Sequence, residues 1–437
     1  MKKFYKISFF FNIICIALGI LLYPLEAHAY MDPGTGNALV YGIISLAGAG
    51  IYALKNIFYR MIAPKSMSQT TNAISKEQTR QLVIFSEGKN YWGTFKPIIE
   101  ALLHKKIYFR YLTQDIHDPA LLIDSNYMDS RYIGNGSMGA FHMNHVNADI
   151  LLSTTPNIGM PGYPITRSAK VRCMIHVWHS FGDFAYAWYH RGGLDWYDTI
   201  LTTSSSMEKQ IRLIEHKRNL PAKNCVICGV PYLDGMHQKA ITADAALKND
   251  GKTILIAPSW GEKGCLSVYG TDFVAELAQA GFTVLIRPHP QSLKTEKALF
   301  DSFKRKLAEY PQVEWDEDVD GFASLQRAAL MISDTSSVRL DFAVLYQRPV
   351  LSLEMPLAGL GGYEYADLKE LLAESAMEQE IGRKVSRAQM SDIVTIVREV
   401  LDSFRPETFA ALRDKYAANF GHAGEAVADY LIAELQK

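Results

Sequence analysis

The chain has 437 residues, of which 48% are hydrophobic and 21% charged, and this globular composition excludes a disordered, collagen-like or coiled-coil protein. The 45 basic and 46 acidic residues give a formal net charge of −1, so the chain lacks the basic field that drives nonspecific nucleic-acid binding. Five cysteines in a chain of this length do not make a disulfide framework.

The first apolar segment lies near the start of the chain. Basic residues precede an apolar stretch over 7–25, and Ala27-His28-Ala29 has the form of a signal-peptidase site. Because the stretch is long for a signal peptide, both outcomes stay open. We predict that residues 1–29 form a signal peptide or a first membrane anchor.

A second apolar segment covers 38–54 and, continued to residue 59, reaches the roughly 20 residues needed to cross a bilayer. A buried helix and an amphipathic surface anchor are the alternatives. Basic residues follow the segment, which favours the cytoplasmic side. We predict a short outer loop and a transmembrane helix over 30–65, a linker over 66–80, and a catalytic body that faces the cytoplasm from the inner membrane.

From residue 81 onward, apolar runs rich in β-branched residues alternate with amphipathic stretches, a pattern typical of parallel sheets covered by helices. In the first half, 81–230, we predict strands at 81–85, 107–112, 148–153, 171–177 and 199–203, and helices at 94–104 and 205–217. In the second half, 231–389, we predict strands at 252–258, 282–287, 330–333 and 349–353, and helices at 272–280, 293–310, 322–329 and 338–346. Further helices over 390–437 close the chain. The predicted class is α/β, with two open domains facing across a cleft and ligands beyond the carboxyl ends of the strands.

Hydroxyl side chains follow the predicted strand 330–333. Thr335-Ser336-Ser337 stand at the start of a predicted helix, where they either cap free backbone N–H groups or help to bind a phosphate there. The sequence favours neither reading over the other. Asp341, one turn further along, is placed to orient a hydroxyl or to accept a hydrogen bond.

Two histidines also stand at strand ends. Arg287-Pro288-His289-Pro290 ends the strand 282–287; its prolines fix the backbone and its guanidinium suits phosphate oxygens. His179 follows the strand 171–177, and an imidazole is a natural base for a hydroxyl proton, although a packed core histidine is the alternative. These residues predict a phosphate-handling site with a base.

Three motifs resemble, in the same order, those of the CDP-glycerol glycerophosphotransferase family, the polymerases and primases of teichoic-acid-type polymers. They are Trp178-His179-Ser180, Arg287-Pro288-His289-Pro290, and Ser333-Asp334-Thr335-Ser336-Ser337 followed by Asp341. The resemblance covers about 81–349. It implies two Rossmann-like domains of the GT-B architecture. It also implies transfer of glycerol phosphate from CDP-glycerol to a lipid-linked or polysaccharide acceptor, with release of CMP.

The resemblance implies a role for each matching residue. His179 would be the base, His289 would contact the donor pyrophosphate, and Ser336 and Ser337 would bind phosphate. The other predicted donor-binding residues are Ser259, Trp260, Arg287, Pro288, Thr335 and Asp341. Glu87, Tyr91 and Asp183 are predicted on the acceptor side. Ser180-Phe181 replace the family's usual Gly-Thr, a departure that leaves the exact acceptor and donor open.

Two other functions remain as alternatives. A CMP-sugar-dependent capsule glycosyltransferase of the Kdo or sialic acid type would share the cytidine-phosphate site but cleave a glycosidic bond. A non-catalytic scaffold for polysaccharide assembly would use neither histidine. We predict no metal site, because Cys225-Val226-Ile227-Cys228 has no second pair of ligands. The acidic run Asp316-Glu317-Asp318-Val319-Asp320 is typical of a solvated loop and leaves a divalent cation open.

Overall fold

A computed structural model of the protein describes residues 81–181, 191–243, 249–262, 264–318, 321–355 and 376–437. The predicted signal or anchor, outer loop, transmembrane helix and linker (1–80) lie outside the described residues, as does Asp183. Among the helices that are described, none has the length and apolar character required to span a bilayer.

The first half of the described chain forms a seven-stranded parallel sheet. Its strands are β1 (Leu82–Ser86), β2 (Phe109–Thr113), β3 (Met128–Tyr132), β4 (Ala148–Ser153), β5 (Val171–His176), β6 (Thr199–Thr202) and β7 (Asn224–Ile227). Their order is β3-β2-β1-β4-β5-β6-β7, and every pairing is parallel. The helices are α1 (Trp92–His104), α2 (Gly136–Asn144) and α3 (Ser205–Arg218). All five residues of β1 are buried, as expected for a parallel strand covered on both faces.

A second parallel sheet has six strands in the order β10-β9-β8-β11-β12-β13. They are β8 (Thr253–Ala257), β9 (Thr283–Ile286), β10 (Val313–Trp315), β11 (Leu330–Ser333), β12 (Val350–Leu353) and β13 (Gly382–Val385). The helices before and between them are α4 (Pro231–Thr242), α5 (Cys265–Tyr269), α6 (Asp272–Gln279), α7 (Ser292–Thr295), α8 (Lys297–Leu307), α9 (Phe322–Arg327), α10 (Val338–Tyr346) and α11 (Ala376–Glu380). Both sheets therefore have the strand order of a doubly wound Rossmann fold.

Three helices follow the second sheet: α12 (Ile393–Ser403), α13 (Pro406–Tyr416) and α14 (Ala423–Leu435). They do not all stay with that sheet. Val427, Ala428 and Leu431 of α14 are fully buried in a hydrophobic cluster with residues of α1 and β1. Helix α14 thus packs with the elements of the first sheet.

The predicted α/β class with two parallel sheets is confirmed, and its buried central strands lie where they were predicted. Strands β3, β7, β10 and β13 and helices α2, α4, α5 and α11 were not predicted. The predicted helix 293–310 is two helices, α7 and α8, separated at Glu296. The proposed domain boundaries at 230 and 389 stay predictions.

Candidate functional site

The strand order of each sheet reverses beside its first strand, between β1 and β4 and between β8 and β11. Ligands of doubly wound sheets bind in the crevice beyond the carboxyl ends of such strands. Ser259 follows β8 and Asp334 follows β11, so both residues lie at the reversal point of the second sheet. The two residues are also hydrogen-bonded to each other.

Asp334 organises the second sheet's reversal point. Its buried carboxylate accepts hydrogen bonds from the backbone N–H of Ser259 at 2.9 Å, of Cys265 at 2.7 Å and of Ser336 at 3.1 Å. The Ser259 hydroxyl also donates to it at 2.5 Å. One carboxylate thereby fixes the loop after β8, the start of α5 and the turn before α10. Because Ser259 donates its hydroxyl proton to Asp334, that hydroxyl offers a ligand only acceptor lone pairs.

The hydroxyl residues before α10 are only partly covered. Thr335 and Ser337 are exposed and Ser336 is half-buried. Ser337 stands at the N-cap but, within the described part of the chain, its side chain makes no capping hydrogen bond. The capping alternative is therefore not adopted by Ser337. The hydroxyl stands beside the positive end of the helix dipole, where anions bind.

His289 is held as a hydrogen-bond donor. The backbone N–H of Gln291 donates to its Nδ1 at 3.1 Å, so the neutral imidazole carries its proton on Nε2. Burial lowers the pKa of His289, while the charges of Asp334 and Glu296 oppose this shift. At neutral pH the ring is uncharged and presents an Nε2–H group at the end of β9. Pro288, the residue before it, is buried, and Trp260, after β8, is 55% exposed.

Arg287 is already paired within the protein. Its Nη1 lies 2.7 Å from Oδ2 of Asp316, which also accepts a hydrogen bond from the Ser324 hydroxyl. A Cβ atom at Gly321 would lie 2.4 Å from Nε of Arg287, so a larger residue there would displace the guanidinium from this position. The first carboxylate of the acidic run therefore orients Arg287. In the described ranges, no group of three or more His, Cys, Asp or Glu residues is arranged to hold a metal ion.

His179 follows β5 in the first sheet. The residue is exposed, and its ring makes a T-shaped contact with the Tyr91 ring, with the ring centroids 4.9 Å apart and the planes at 87°. The surrounding protein removes water from the imidazole and lowers its pKa below the usual 6.5, while a backbone hydrogen bond with Thr154 opposes the shift. A neutral imidazole at this position can accept a proton at pH 7.

Glu87 and Tyr91 lie together on this side of the site. Tyr163 donates its hydroxyl to Oε1 of Glu87 at 3.3 Å. Burial raises the pKa of Tyr91 to about 12, and both the charge of Glu87 and a hydrogen bond to it add to the shift. Glu87 is thus held by two phenols beside His179.

Sequence reasoning missed a buried polar layer beneath His179. His176, the last residue of β5, is buried against the rings of Trp178 and Tyr197, and burial lowers its pKa to about 3. In the part of the chain that the structure describes, His176 Nδ1 and the hydroxyls of Thr154 and Thr155 have no hydrogen-bond partner. His176 lies three residues before His179 and could have been noticed; the threonines gave no signal in the sequence.

Asp341 joins the two sides of the site. It lies in the first turn of α10 and accepts a hydrogen bond from the Tyr232 hydroxyl on α4. Burial raises the pKa of Asp341 to about 7. The backbone of Phe181, two residues after His179, also makes a hydrogen bond with Tyr232. The structure thus connects the segment that carries His179 with the helix that begins after Ser337.

A family model described as CDP-Glycerol:Poly(glycerophosphate) glycerophosphotransferase matches residues 188–358. The predicted family resemblance is confirmed. The matched region contains Arg287, His289, Ser336 and Ser337 and begins nine residues after His179. Over these residues the chain is accordingly similar to the glycerophosphotransferases that the model describes.

Solved structures show the same fold. A structure of the wall teichoic acid polymerase TagF with CDPG is 15% identical, and the match covers 88% of this chain and 96% of that chain with a TM-score of 0.52. A second TagF structure, also 15% identical, matches over 90% of this chain and 98% of that chain with a TM-score of 0.50.

A UDP-GlcNAc 2-epimerase from Neisseria meningitidis bound to UDP-GlcNAc is 14% identical, and the match covers 82% of this chain and 99% of that chain with a TM-score of 0.52. No curated protein sequence matches the chain significantly. These likenesses establish a GT-B-like fold with two parallel sheets.

Proposed function

We propose that the protein transfers glycerol phosphate from CDP-glycerol to a hydroxyl of a cell-surface polysaccharide or teichoic-acid-like acceptor and releases CMP. One observation carries the proposal: the family match includes β8 to β12 of the second sheet, where His289 and the Ser336–Ser337 turn follow strands on either side of β8. An N–H donor and a helix N-terminus with hydroxyl groups suit the charge of a diphosphate.

The proposed reaction is an in-line displacement. The acceptor hydroxyl oxygen attacks the β-phosphorus of CDP-glycerol, a new P–O bond forms, and the bond from that phosphorus to the bridging oxygen breaks. CMP leaves with the bridging oxygen and its electron pair, and His179 takes the hydroxyl proton. Phosphoryl transfer depends mainly on positioning and charge stabilisation, which His289, Ser336 and Ser337 would supply.

The acceptor would enter beside Glu87 and Tyr91. Glu87 is held by Tyr163 and Tyr91, and a carboxylate fixed in this way can accept a hydrogen bond from a second hydroxyl of a polyol. The Tyr91 ring touches His179. This contact would place an acceptor bound at Glu87 within reach of the base.

Release of CMP tests the proposal. Purified protein is incubated with an acceptor-containing membrane fraction and either CDP-glycerol, CMP-Kdo or CMP-sialic acid. We expect CMP only from CDP-glycerol, and a His289→Ala variant whose KM for CDP-glycerol rises about 10–100-fold, as for loss of a hydrogen bond to a charged group. His216→Ala, an exposed histidine on α3, is the matched control and should behave as wild type.

Other outcomes would overturn the proposal. CMP release from a CMP-sugar alone would indicate the capsule glycosyltransferase. A His179→Ala, His289→Ala double variant that fully complements a deletion strain would indicate a scaffold.

We also propose that residues 1–65 attach the protein to the inner membrane with residues 81–437 in the cytoplasm. The support is the sequence pattern of two apolar segments with basic residues after the second. A C-terminal alkaline phosphatase fusion, active only outside the cytoplasm, should be inactive, and a green fluorescent protein fusion should fluoresce. The opposite pair of results would reverse the orientation.

A further inference from the structure

A single phenol lies between the two halves of the site. Tyr232 is the second residue of α4, the helix that follows the last strand of the first sheet. Its hydroxyl donates to Oδ1 of Asp341, and its oxygen is hydrogen-bonded to the backbone of Phe181. Because the one hydroxyl proton of Tyr232 is donated to Asp341, the phenol oxygen can only accept in its second contact, and the Phe181 N–H is the donor there.

Each end of this bridge is close to a residue of the proposed chemistry. Phe181 is two residues from His179. Asp341 is four residues from Ser337, and its backbone N–H bonds to the Ser337 carbonyl at 3.4 Å. The Tyr232 hydroxyl therefore joins the segment of the proposed base to the first turn of the proposed phosphate-binding helix.

Apolar packing supports the bridge from both sides. The Phe181 side chain is 2% exposed and belongs to a hydrophobic cluster that includes Leu233 of α4 and Leu340 and Phe342 of α10. Phe181 thus belongs to the first half of the chain but packs with the second. This packing sets the distance between the Phe181 segment and α10. The two hydrogen bonds of Tyr232, which depend on angle, set how the two segments are oriented relative to each other.

The donor side does not depend on this bridge. Asp334 holds the Ser336 turn and the Ser259 loop through its own hydrogen bonds, and Gln291 holds His289. Loss of the Tyr232 hydroxyl would therefore leave the phosphate ligands in place and release only the segment of His179. Loss of the hydroxyl should therefore lower kcat, which depends on His179, and leave the KM for the donor unchanged.

We infer that Tyr232 is a positioning residue, which through its bonds to Phe181 and Asp341 holds His179 in register with the phosphate bound at the start of α10. The inference rests on the proposed function, because it takes His179 to be the base and the bound phosphate to be that of the donor. Misplacing a reacting group by about 1 Å can cost about 10²-fold in rate, which sets the scale of the expected effect.

The test begins with Tyr232→Phe, which removes only the hydroxyl. We expect kcat for CMP release to fall about 10–100-fold while the KM for CDP-glycerol stays within about twofold. In a His179→Ala background the same change should have no further effect, because there is no base left to position. Asp341→Asn keeps a hydrogen-bond acceptor and should retain more activity than Asp341→Ala.

The matched control is Tyr416→Phe. The Tyr416 hydroxyl also donates to a carboxylate, that of Glu380, at 3.1 Å, and the residue lies in the same hydrophobic cluster. This variant should keep wild-type kcat and KM. It separates the loss of a buried phenol hydroxyl in general from the loss of this bridge.

A second measurement does not depend on the reaction. Hydrogen exchange in peptides that end at Phe181 should be faster in Tyr232→Phe and unchanged in Tyr416→Phe. Wild-type kcat in Tyr232→Phe, an equal loss in the His179→Ala background, or unchanged exchange would overturn the inference. If the wild-type protein released no CMP from CDP-glycerol, the proposed function would fail, and the exchange result alone would decide whether the bridge exists.

Discussion

At the residue scale, the two imidazoles of the site are held in different ways. Nδ1 of His289 receives the Gln291 N–H, so this ring presents a proton and is suited to a phosphate oxygen. His179 contacts the Tyr91 ring and a backbone group of Thr154, and the residue is exposed. A base must be accessible to the hydroxyl whose proton it accepts. The surroundings thus favour His179 as the base and His289 as the donor of a hydrogen bond.

Replacing His179 by alanine tests this division. General-base assistance contributes about 10²–10⁴-fold, so His179→Ala should lower kcat by a factor in that range and leave the KM for CDP-glycerol within about twofold. Initial rates of CMP release measure both quantities. Exposed His216 provides the control substitution. Wild-type turnover in His179→Ala would remove this residue from the mechanism.

The pH dependence follows from the direction of the pKa shift. Burial lowers the pKa of His179, so the neutral, proton-accepting form persists to a pH below 6.5. Protonation of His289, whose pKa is also lowered, would break its bond from Gln291 in the same acidic range. We expect the acidic limb of kcat/KM to lie below pH 6.5. If kcat/KM instead fell on acidification from a pH above 7, and did so in His179→Ala as well, the assignment of the acidic limb to His179 would be contradicted.

Some site residues could be predicted from the sequence because they belong to short motifs of neighbouring residues. His179, Arg287, His289 and the Ser336–Ser337 turn each stand directly after an apolar run that sequence alone marks as a strand. Tyr163 and Tyr232 carry no such mark, because their roles depend on Glu87 and Asp341, which are 76 and 109 residues away. Contacts over such separations are set by the fold.

At the scale of elements, the sequence identified the strands whose residues are all buried. Strands β1, β8 and β11 are continuous apolar runs, and both of their faces are covered. The strands that were missed lie at sheet edges: β3 reads Met-Asp-Ser-Arg-Tyr and β13 reads Gly-Arg-Lys-Val. Edge strands carry polar and charged side chains, so they lack the continuous or alternating hydrophobic pattern by which a strand is recognised in a sequence. Position in the sheet therefore decided which strands could be predicted.

Gly229, where β7 passes into α4, tests the packing of elements. It has a φ of +92°, and a Cβ there would lie 2.0 Å from the carbonyl oxygen of Ala418. Backbone strain together with this clash should make Gly229→Ala less stable by about 2–4 kcal/mol, which a lower thermal midpoint would reveal. Gly235→Ala, inside α4, where a Cβ would meet no described atom within 4 Å beyond its chain neighbours and its own helix backbone, is the control and should gain up to about 1 kcal/mol. Equal midpoints for the two variants would refute this account.

At the scale of the whole molecule, the last described helix packs on the first half of the described chain. Helix α14 follows the second sheet in sequence but packs on α1 in the first. Its helical pattern predicted a helix near the end of the chain. The partner could not be predicted, because an apolar helix face fits many surfaces and only the completed fold selects one. The fold class was thus predictable from local patterns, whereas this long-range closure was not.

Leu431 measures how much this return stabilises the protein. Its side chain is fully buried among residues of α1 and the first sheet, so Leu431→Ala should lower the free energy of unfolding by about 2–5 kcal/mol. The partly exposed ion pair between Lys105, at the end of α1, and Glu425 of α14 should contribute less than about 1 kcal/mol. Urea denaturation of Leu431→Ala beside Ile241→Ala, whose side chain is 61% exposed, tests this difference. If both variants unfolded at the wild-type urea concentration, α14 would not be part of the first sheet's core, and the packing of the last helix against α1 would have to be revised.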